Sequence, residues 1–245
     1  MDYGIYSSAA YLHTLEQWQS SVTQNLSASS TPGFRGQAFA VEGKQPSHTV
    51  SRQSNTPKVS MPEPVAKRNF HPAQTRQTNN PYDFAIPNGN FFALQHPDGR
   101  TIYTRDGEFQ RNADGQLVSK QGYPVIGTEG NINIPPAEGP LGVATDGTLS
   151  QNGERIGALA LYQFDSPDRL VALGGSTFED AEGLAGAQLS EDPRVLQGFI
   201  EGSNINPLSE MVNMIMISRS YEAAQKVITT FDELNGKAIQ TFGSR

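Results

Sequence analysis

From Leu208 to Phe242 the chain carries no proline, and apolar residues recur in alternate steps of three and four. The series runs Met214, Ile217, Tyr221, Ala224, Ile228, Phe231, Asn235, Ala238, Phe242, and Asn235 alone breaks it. Such spacing averages about 3.5 residues and sets every member on one narrow stripe of an α-helix. At about 1.5 Å per residue the helix is roughly 50 Å long. A stripe of that length outruns the core of a small domain and calls for a second long helix.

The opposite end of the chain supplies one. Ile5, Ser8, Leu12, Leu15, Gln19, Val22 and Leu26 repeat the same alternation, with Tyr11, Trp18 and Asn25 in a row beside them. No proline or glycine interrupts Ile5–Ser29, and Pro32-Gly33 ends the helix. Proline disfavours helical geometry in the residue before it, and glycine accepts turn dihedrals. This stripe is weaker than the C-terminal one because Ser8 and Gln19 sit on it. The surplus apolar surface of the C-terminal helix, Met214, Ile217 and Tyr221 with Met211 and Ile215 beside them, is where docking of neighbouring subunits is expected.

Residues 35–80 read as a linker or extended arm, disordered alone or ordered by its neighbours. Pro46, Pro57, Pro62, Pro64 and Pro72 punctuate a run of Ser, Thr, Gln, Asn and Lys. The window Lys44–Asn80 is basic, +5 within a chain of net charge −7, which leaves −12 elsewhere. That balance excludes a general nucleic-acid binder. No apolar run approaches the ~20 residues of a membrane span. The N-terminus has no basic-then-apolar run, so no cleaved signal peptide is expected. With no cysteine there is no disulfide, thiolate metal site or cysteine nucleophile.

From Tyr82 the pattern becomes short strands with tight turns. Asp98-Gly99, Asp106-Gly107, Asp114-Gly115, Asp146-Gly147 and Asn152-Gly153 stand between apolar segments. Asx-Gly between strands signals a hairpin, because the favoured turns need positive φ. Leu170–Ala187 is glycine-rich and without period, and Val195–Ile200 reads as a last strand. Pro207 suits the first turn of the C-terminal helix, with Asn204 or Asn206 as cap. The expected fold is α+β: long terminal helices, as an antiparallel pair or coiled coil, flanking a central antiparallel all-β domain with many Asx-Gly hairpins. The expected divisions are 1–34 (helix and Pro-Gly turn), 35–80 (arm), 81–203 (β domain) and 204–245 (helix).

Chemistry-bearing constellations are sparse. His13, His48, His71 and His96 are scattered, and no two stand at metal-ligand spacing. Asp165, Asp168, Glu179, Asp180 and Glu182 do not form the calcium-loop pattern. There is neither a Gly-x-Ser-x-Gly elbow nor a phosphate loop. No catalytic, cofactor or metal site is expected. The competing class is a monomeric β-rich carbohydrate-active enzyme or binding module, with a carboxylate pair and exposed aromatics such as Tyr103 or Tyr123. It leaves two long terminal stripes unexplained.

Three segments resemble the flagellar rod and hook protein family of bacteria. Asn25-Leu26-Ser27-Ala28-Ser29-Ser30-Thr31-Pro32-Gly33-Phe34-Arg35 is similar to the N-terminal signature, with Ala28 where the family usually has asparagine. Asp83–Ile86, Gly89–Phe92, Tyr103-Thr104-Arg105-Asp106-Gly107-Glu108-Phe109 and Asp114–Val118 resemble the opening of the central domain. Gly198-Phe199-Ile200-Glu201-Gly202-Ser203-Asn204 leads to Glu210-Met211-Val212 and Arg219-Ser220-Tyr221-Glu222, as in the family.

Length, Met1–Tyr6, Gly122–Gly127 and Lys226–Thr230 most resemble the larger proximal rod protein, with the distal rod protein as runner-up. The resemblance implies a non-enzymatic axial subunit of the basal body that self-assembles through its terminal helices. Its partners are other rod and hook subunits and, during secretion, the flagellar export apparatus. A periplasmic place follows, reached without a cleaved signal peptide, with no nucleic acid, membrane insertion or cofactor. The implied assembly residues are Ile5, Leu12, Leu15, Val22, Leu26, Met211, Met214, Ile215, Ile217, Tyr221, Ala224, Ile228 and Phe231. Tyr103, Arg105 and Asp106 are either a surface contact between central domains or a local hairpin whose Arg105 pairs nearby.

Overall fold

The computed structural model describes residues 2–44, 61–136 and 139–243. It is mixed helix and sheet, with a central β region and a C-terminal helix. Two compact units divide the chain. One holds 1–27, 37–67 and 206–245; the other holds 28–36 and 68–205.

In the first unit, helix α1 spans Asp2–Ser27 and helix α2 spans Pro207–Gly243. α1 is the shorter, 26 residues against 37. Asn206 caps α2: its Oδ1 accepts the N–H groups of Leu208 at 3.1 Å and Ser209 at 3.4 Å. These N–H groups have no partner inside the helix, so the cap satisfies them. The other candidate cap, Asn204, is engaged elsewhere.

The helices run antiparallel. Asn25, near the end of α1, donates to Glu210 at the start of α2 at 3.2 Å. Leu15, Val22 and Ile217 form a buried cluster, with Trp18, Met214 and Tyr221 packed against it. Each fully buried aliphatic contributes about 1.5–3 kcal/mol. Gln37–Lys44 and Met61–Arg68 form a two-stranded sheet in the same unit. Asn25 pins its first residue, accepting the Gln37 N–H and donating to the Gln37 carbonyl, both at 2.9 Å. The Phe39 ring stacks on Trp18.

Where it is described, the arm of 35–80 supplies three strands, Gln37–Lys44, Met61–Arg68 and Thr75–Gln77. Thr75–Gln77 pairs with Phe199–Glu201 in the second unit. Residues 45–60 of the arm lie outside the described residues.

The second unit centres on a six-stranded antiparallel sheet. Its order is Val171–Gly174, Thr177–Glu179, Thr101–Thr104, Phe91–Gln95, Leu161–Phe164, Ala187–Leu189. Both faces are covered. Phe92, Leu94, Ile102 and Leu161 point into one cluster, while Phe91, Ala93, Tyr103 and Phe178 point into another. Alternation by two places neighbours on opposite faces, so a strand buried on both reads as an unbroken apolar run.

Here the glycine-rich stretch from Leu170 is corrected. It supplies two strands and leads into a third. The edge strands Val171–Gly174 and Ala187–Leu189 are exposed throughout, which removes the periodic signal.

Four Asx-Gly pairs join paired strands. At Asn152-Gly153 both φ angles are positive, 54° and 84°, in the two-residue link between Thr148–Gln151 and Glu154–Ala158. Asp106-Gly107 is not a hairpin. Thr101–Thr104 and Phe109–Arg111 pair with other strands. A Cβ on Gly107 would lie 1.7 Å from the Phe84 carbonyl oxygen, so glycine is needed for close backbone approach rather than for a turn.

Candidate functional site

The structure separates the expected assembly residues into two groups. Leu15, Val22, Ile217 and Ala224 are buried in the helical unit. Leu12, Leu26, Met214, Tyr221 and Ile228 are half-buried. The Ile5 side chain lies outside the described residues. Met214, Ile217 and Tyr221, expected as surplus for neighbours, instead pack with α1.

The free apolar surface lies on another face of α2. Leu208, Met211, Val212, Ile215 and Met216 stand at i, i+3, i+4, i+7 and i+8, the spacing of a helix-packing stripe. They are between 46% and 71% exposed. Arg219 ends the run on the same side. Farther along, Val227, Phe231, Leu234 and Ile239 are also exposed. Five consecutive members of an apolar stripe in water are a mark of an interaction surface.

The motif residues of the β unit converge on one buried cluster. Gly33, at φ +66°, donates its N–H to the Glu201 carbonyl at 2.9 Å. A Cβ there would fall 2.2 Å from the Asp106 nitrogen, so only glycine lets the Pro32-Gly33 turn reach that backbone. Pro32 is held by the Ser176 hydroxyl, which donates to its carbonyl at 3.1 Å. Next in the chain, Arg35 is fully buried, and its Nη2 lies 2.6 Å from Glu201 Oε1. That is a close charge contact rather than an aligned hydrogen bond, since Nη2 finds no acceptor in line.

Arg105 approaches the same carboxylate from the other side, with Nη1 3.5 Å from both oxygens. Its guanidinium also donates to the Gly89 carbonyl and sits 4.6 Å over the Phe91 ring. Burial, then the like charge of Arg35, lower the Arg105 pKa to about 10, while Glu201 pulls it back up. Glu201 Oε1 further accepts the Ala73 N–H at 2.7 Å.

Asn204 completes the arrangement. Its N–H donates to the Phe34 carbonyl and its Oδ1 accepts the Gly36 N–H. Its Nδ2 donates to the Asn69 carbonyl at 2.7 Å. Arg68 Nη1 donates to the Arg35 carbonyl, and the Asn69 N–H donates to Gly36. The chain passes between the two units after residues 27, 36, 67 and 205. Within the β unit, Phe34–Gly36, Arg68–Asn69 and Asn204 are thus tied to one another just where the chain enters and leaves.

Both expectations for Tyr103, Arg105 and Asp106 are thereby corrected. Arg105 is 3% exposed and pairs with a residue 96 positions away, so it is neither a surface contact nor a local hairpin pair. Tyr103 is buried edge-on against Tyr162 and Phe164. Thr104 is buried and accepts the Asp106 N–H. Arg219 and Glu222 are exposed on α2. The motif does not by itself single out Arg35; its one signal in the sequence is a lone charge between Phe34 and Gly36.

Among the described residues of this unit, Asp106 is the acid whose carboxyl is held above its ordinary range, whereas Asp98 and Asp146 are held below it. Burial pushes the Asp106 carboxyl up to about 6. The Glu108 N–H it accepts pulls the value down, the Glu108 carboxylate raises it, Lys120 lowers it and Asp83 raises it. A carboxyl raised above its unfolded value binds its proton more tightly in the folded state. Its penalty is absent below about pH 4, grows between about pH 4 and 6, and is complete above. Asp106→Asn, which keeps an oxygen for the Glu108 N–H, is expected to stabilise the chain by about 1–3 kcal/mol at pH 7.5. The gain should vanish near pH 4, as read by urea titrations at the two pH values. An equal difference at both would contradict the assignment.

Two further charged pairs flank the six-stranded sheet, one of them with the buried Glu179. Glu179 pairs with Arg100, and His96 lies 2.7 Å from Asp98. Tyr123 is half-buried beside the His96 ring. No described helix is long and apolar enough to cross a membrane.

Residues 85–151 match the family model described as flagellar hook protein FlgE/F/G D1 domain. Residues 196–241 match that described as flagellar basal body rod FlgEFG protein C-terminal. The flagellar basal-body rod protein FlgF of Salmonella typhimurium is 33% identical over 267 residues, 98% of each chain. FlgF of Caulobacter vibrioides is 30% identical over 244 residues, 99% of each chain. The flagellar basal-body rod protein FlgG of Buchnera aphidicola from Schizaphis graminum is 31% identical over 244 residues, 89% of this chain and 92% of its own.

Proposed function

Because the chain belongs to the flagellar basal-body rod protein family and is a structural rod subunit, we infer that it builds the rod by burying the outer stripe of α2 against neighbouring axial subunits. The observation that carries this is the exposed run Leu208–Met216, with its helix-packing period and no partner in the described chain. Burying five half-exposed apolar side chains contributes roughly 1 kcal/mol each before ordering costs. Repetition along an assembly multiplies that small increment.

In this reading the segments 1–34 and 204–245 assemble, and the β unit of 81–203 faces other neighbours. The tied segments around Asn204 would share force entering by any one crossing among several backbone bonds. The subunit is of the proximal rod type, stands in the periplasmic part of the basal body, and travels through the flagellar export apparatus. Two things support these finer points: the relatives named FlgF among the full-length matches, and the family to which the chain belongs.

The test is deletion of the gene, scored for flagella and attached hooks, then complementation with Ile215→Asp. Ile215 is more than half exposed, so the variant should fold within ~0.5 kcal/mol of the natural chain. Deletion should abolish hooks, and Ile215→Asp should fail to restore them. Normal hooks and swimming with Ile215→Asp would overturn the role of this face.

A further inference from the structure

We propose that the β unit seats one ring of a neutral saccharide in the cavity beside Tyr123; the site is independent of the exposed face of α2. The cavity is about 370 Å³, the size of a small-ligand site. Gln121, Tyr123 and His96 border it, and each of these side chains both donates and accepts hydrogen bonds. Among the described residues, none engages the Gln121 amide, the Tyr123 hydroxyl or the His96 Nε2. A sugar hydroxyl also donates and accepts, so it matches all three groups without needing charge. The Tyr123 ring, 5.5 Å from the His96 ring between centroids, is half-buried and offers a flat apolar face to the C–H side of a sugar. Leu173, 45% exposed, adds a second apolar contact to the lining.

The charges around the cavity turn other ligands away. Arg100 is the cation in its lining, and it is already committed. Its Nη2 lies 2.7 Å from Asp98, and its Nη1 pairs with Glu179. Two carboxylates against one guanidinium repel an anion, and both carboxylates are occupied against a cation. With the two acids tied to one arginine, no free carboxylate pair remains to cleave a glycosidic bond, so the site binds without reacting. The loop at its edge is preformed. Gly174, Gly175 and Ser176 stand at φ +104°, +56° and +63°, and the two glycines line the cavity. Ser176 pays a steric cost there because it carries a Cβ. It is held by the Thr104 hydroxyl, which donates to its carbonyl at 2.9 Å, and by its own hydroxyl on Pro32. Strain fixed in place beside a cavity is a mark of a ligand-binding edge.

The test is NMR titration of the isotope-labelled full chain with cellotriose, chitotriose and the anionic trigalacturonate. The two neutral sugars are expected to shift the Gln121 side-chain amide and the His96 ring with millimolar Kd. The tighter of them tells whether the ligand carries acetamido groups. Trigalacturonate should bind at least about tenfold more weakly. Tyr123→Ala removes the stacking face and should weaken the neutral sugars at least about tenfold. Tyr123 packs partly on the core, so Gln121→Ala, at an exposed position, supplies the variant whose loss of binding is not a loss of fold. It should weaken binding measurably, read at the His96 ring. No shift with either neutral sugar, or tighter binding of trigalacturonate, would overturn the proposal. So would natural affinity in Gln121→Ala, which would put the sugar elsewhere. None of these outcomes bears on the rod role.

Discussion

Glu201→Ala should cost the β unit about 3–5 kcal/mol, a large part of the stability of an ordinary domain. The side chain is 2% exposed and stands between two buried guanidiniums. Removing it leaves Arg35 and Arg105 as like charges without their shared counter-ion, and leaves the Ala73 N–H without its acceptor. Breaking a buried ionic contact by deleting one partner is costly because the survivors stay desolvated. Glu201→Gln should cost less, since an amide oxygen still accepts from Ala73. Urea titration followed by circular dichroism reads both. The single tryptophan, Trp18, belongs to the helical unit and does not report on this one. A loss under about 1 kcal/mol for Glu201→Ala would show that the cluster does not hold the entering segments together.

Ile217→Asp should disrupt the helical unit by a comparable amount, about 3–5 kcal/mol. Ile217 is 1% exposed and packs with Leu15 and Val22. A carboxylate there faces an apolar cluster that offers no charge partner. Ile217→Val removes one methyl and should cost only about 0.5–1.5 kcal/mol. Trp18 packs against the same cluster, so its emission should shift to the red in the aspartate variant and stay put in the valine one. Cells with Ile217→Asp should lack hooks. Natural emission and normal hooks in the aspartate variant would refute the helix pair as the basis of assembly.

The helices were legible because a long apolar stripe at 3.5 spacing has few alternative explanations. What the stripe could not say is which members the partner helix covers. Met214, Ile217 and Tyr221 lie toward α1, and the free face is the adjoining series from Leu208, which overlaps it in sequence. Asx-Gly pairs marked the hairpins at 98–99, 114–115, 146–147 and 152–153. The same dipeptide at 106–107 misleads, because glycine there answers to the Phe84 carbonyl of a distant strand. Val171–Gly174 and Ala187–Leu189 escaped notice because edge strands exposed on both faces carry no alternation. The Arg35–Glu201–Arg105 cluster was out of reach for a different reason. Its members sit in three separate motifs, and only the fold reveals that they share one carboxylate.

Thiol accessibility at position 215 tests the central account most directly. In a chain with no other cysteine, Ile215→Cys is labelled with a small maleimide in the free subunit and in purified basal bodies. The outer face of α2 is open in the single chain and should be covered in the rod. Labelling should therefore be fast in the free subunit and slower by at least about tenfold in the assembly, the ratio that protection of about 1.4 kcal/mol gives. Equal rates in both would contradict an assembly built on this face.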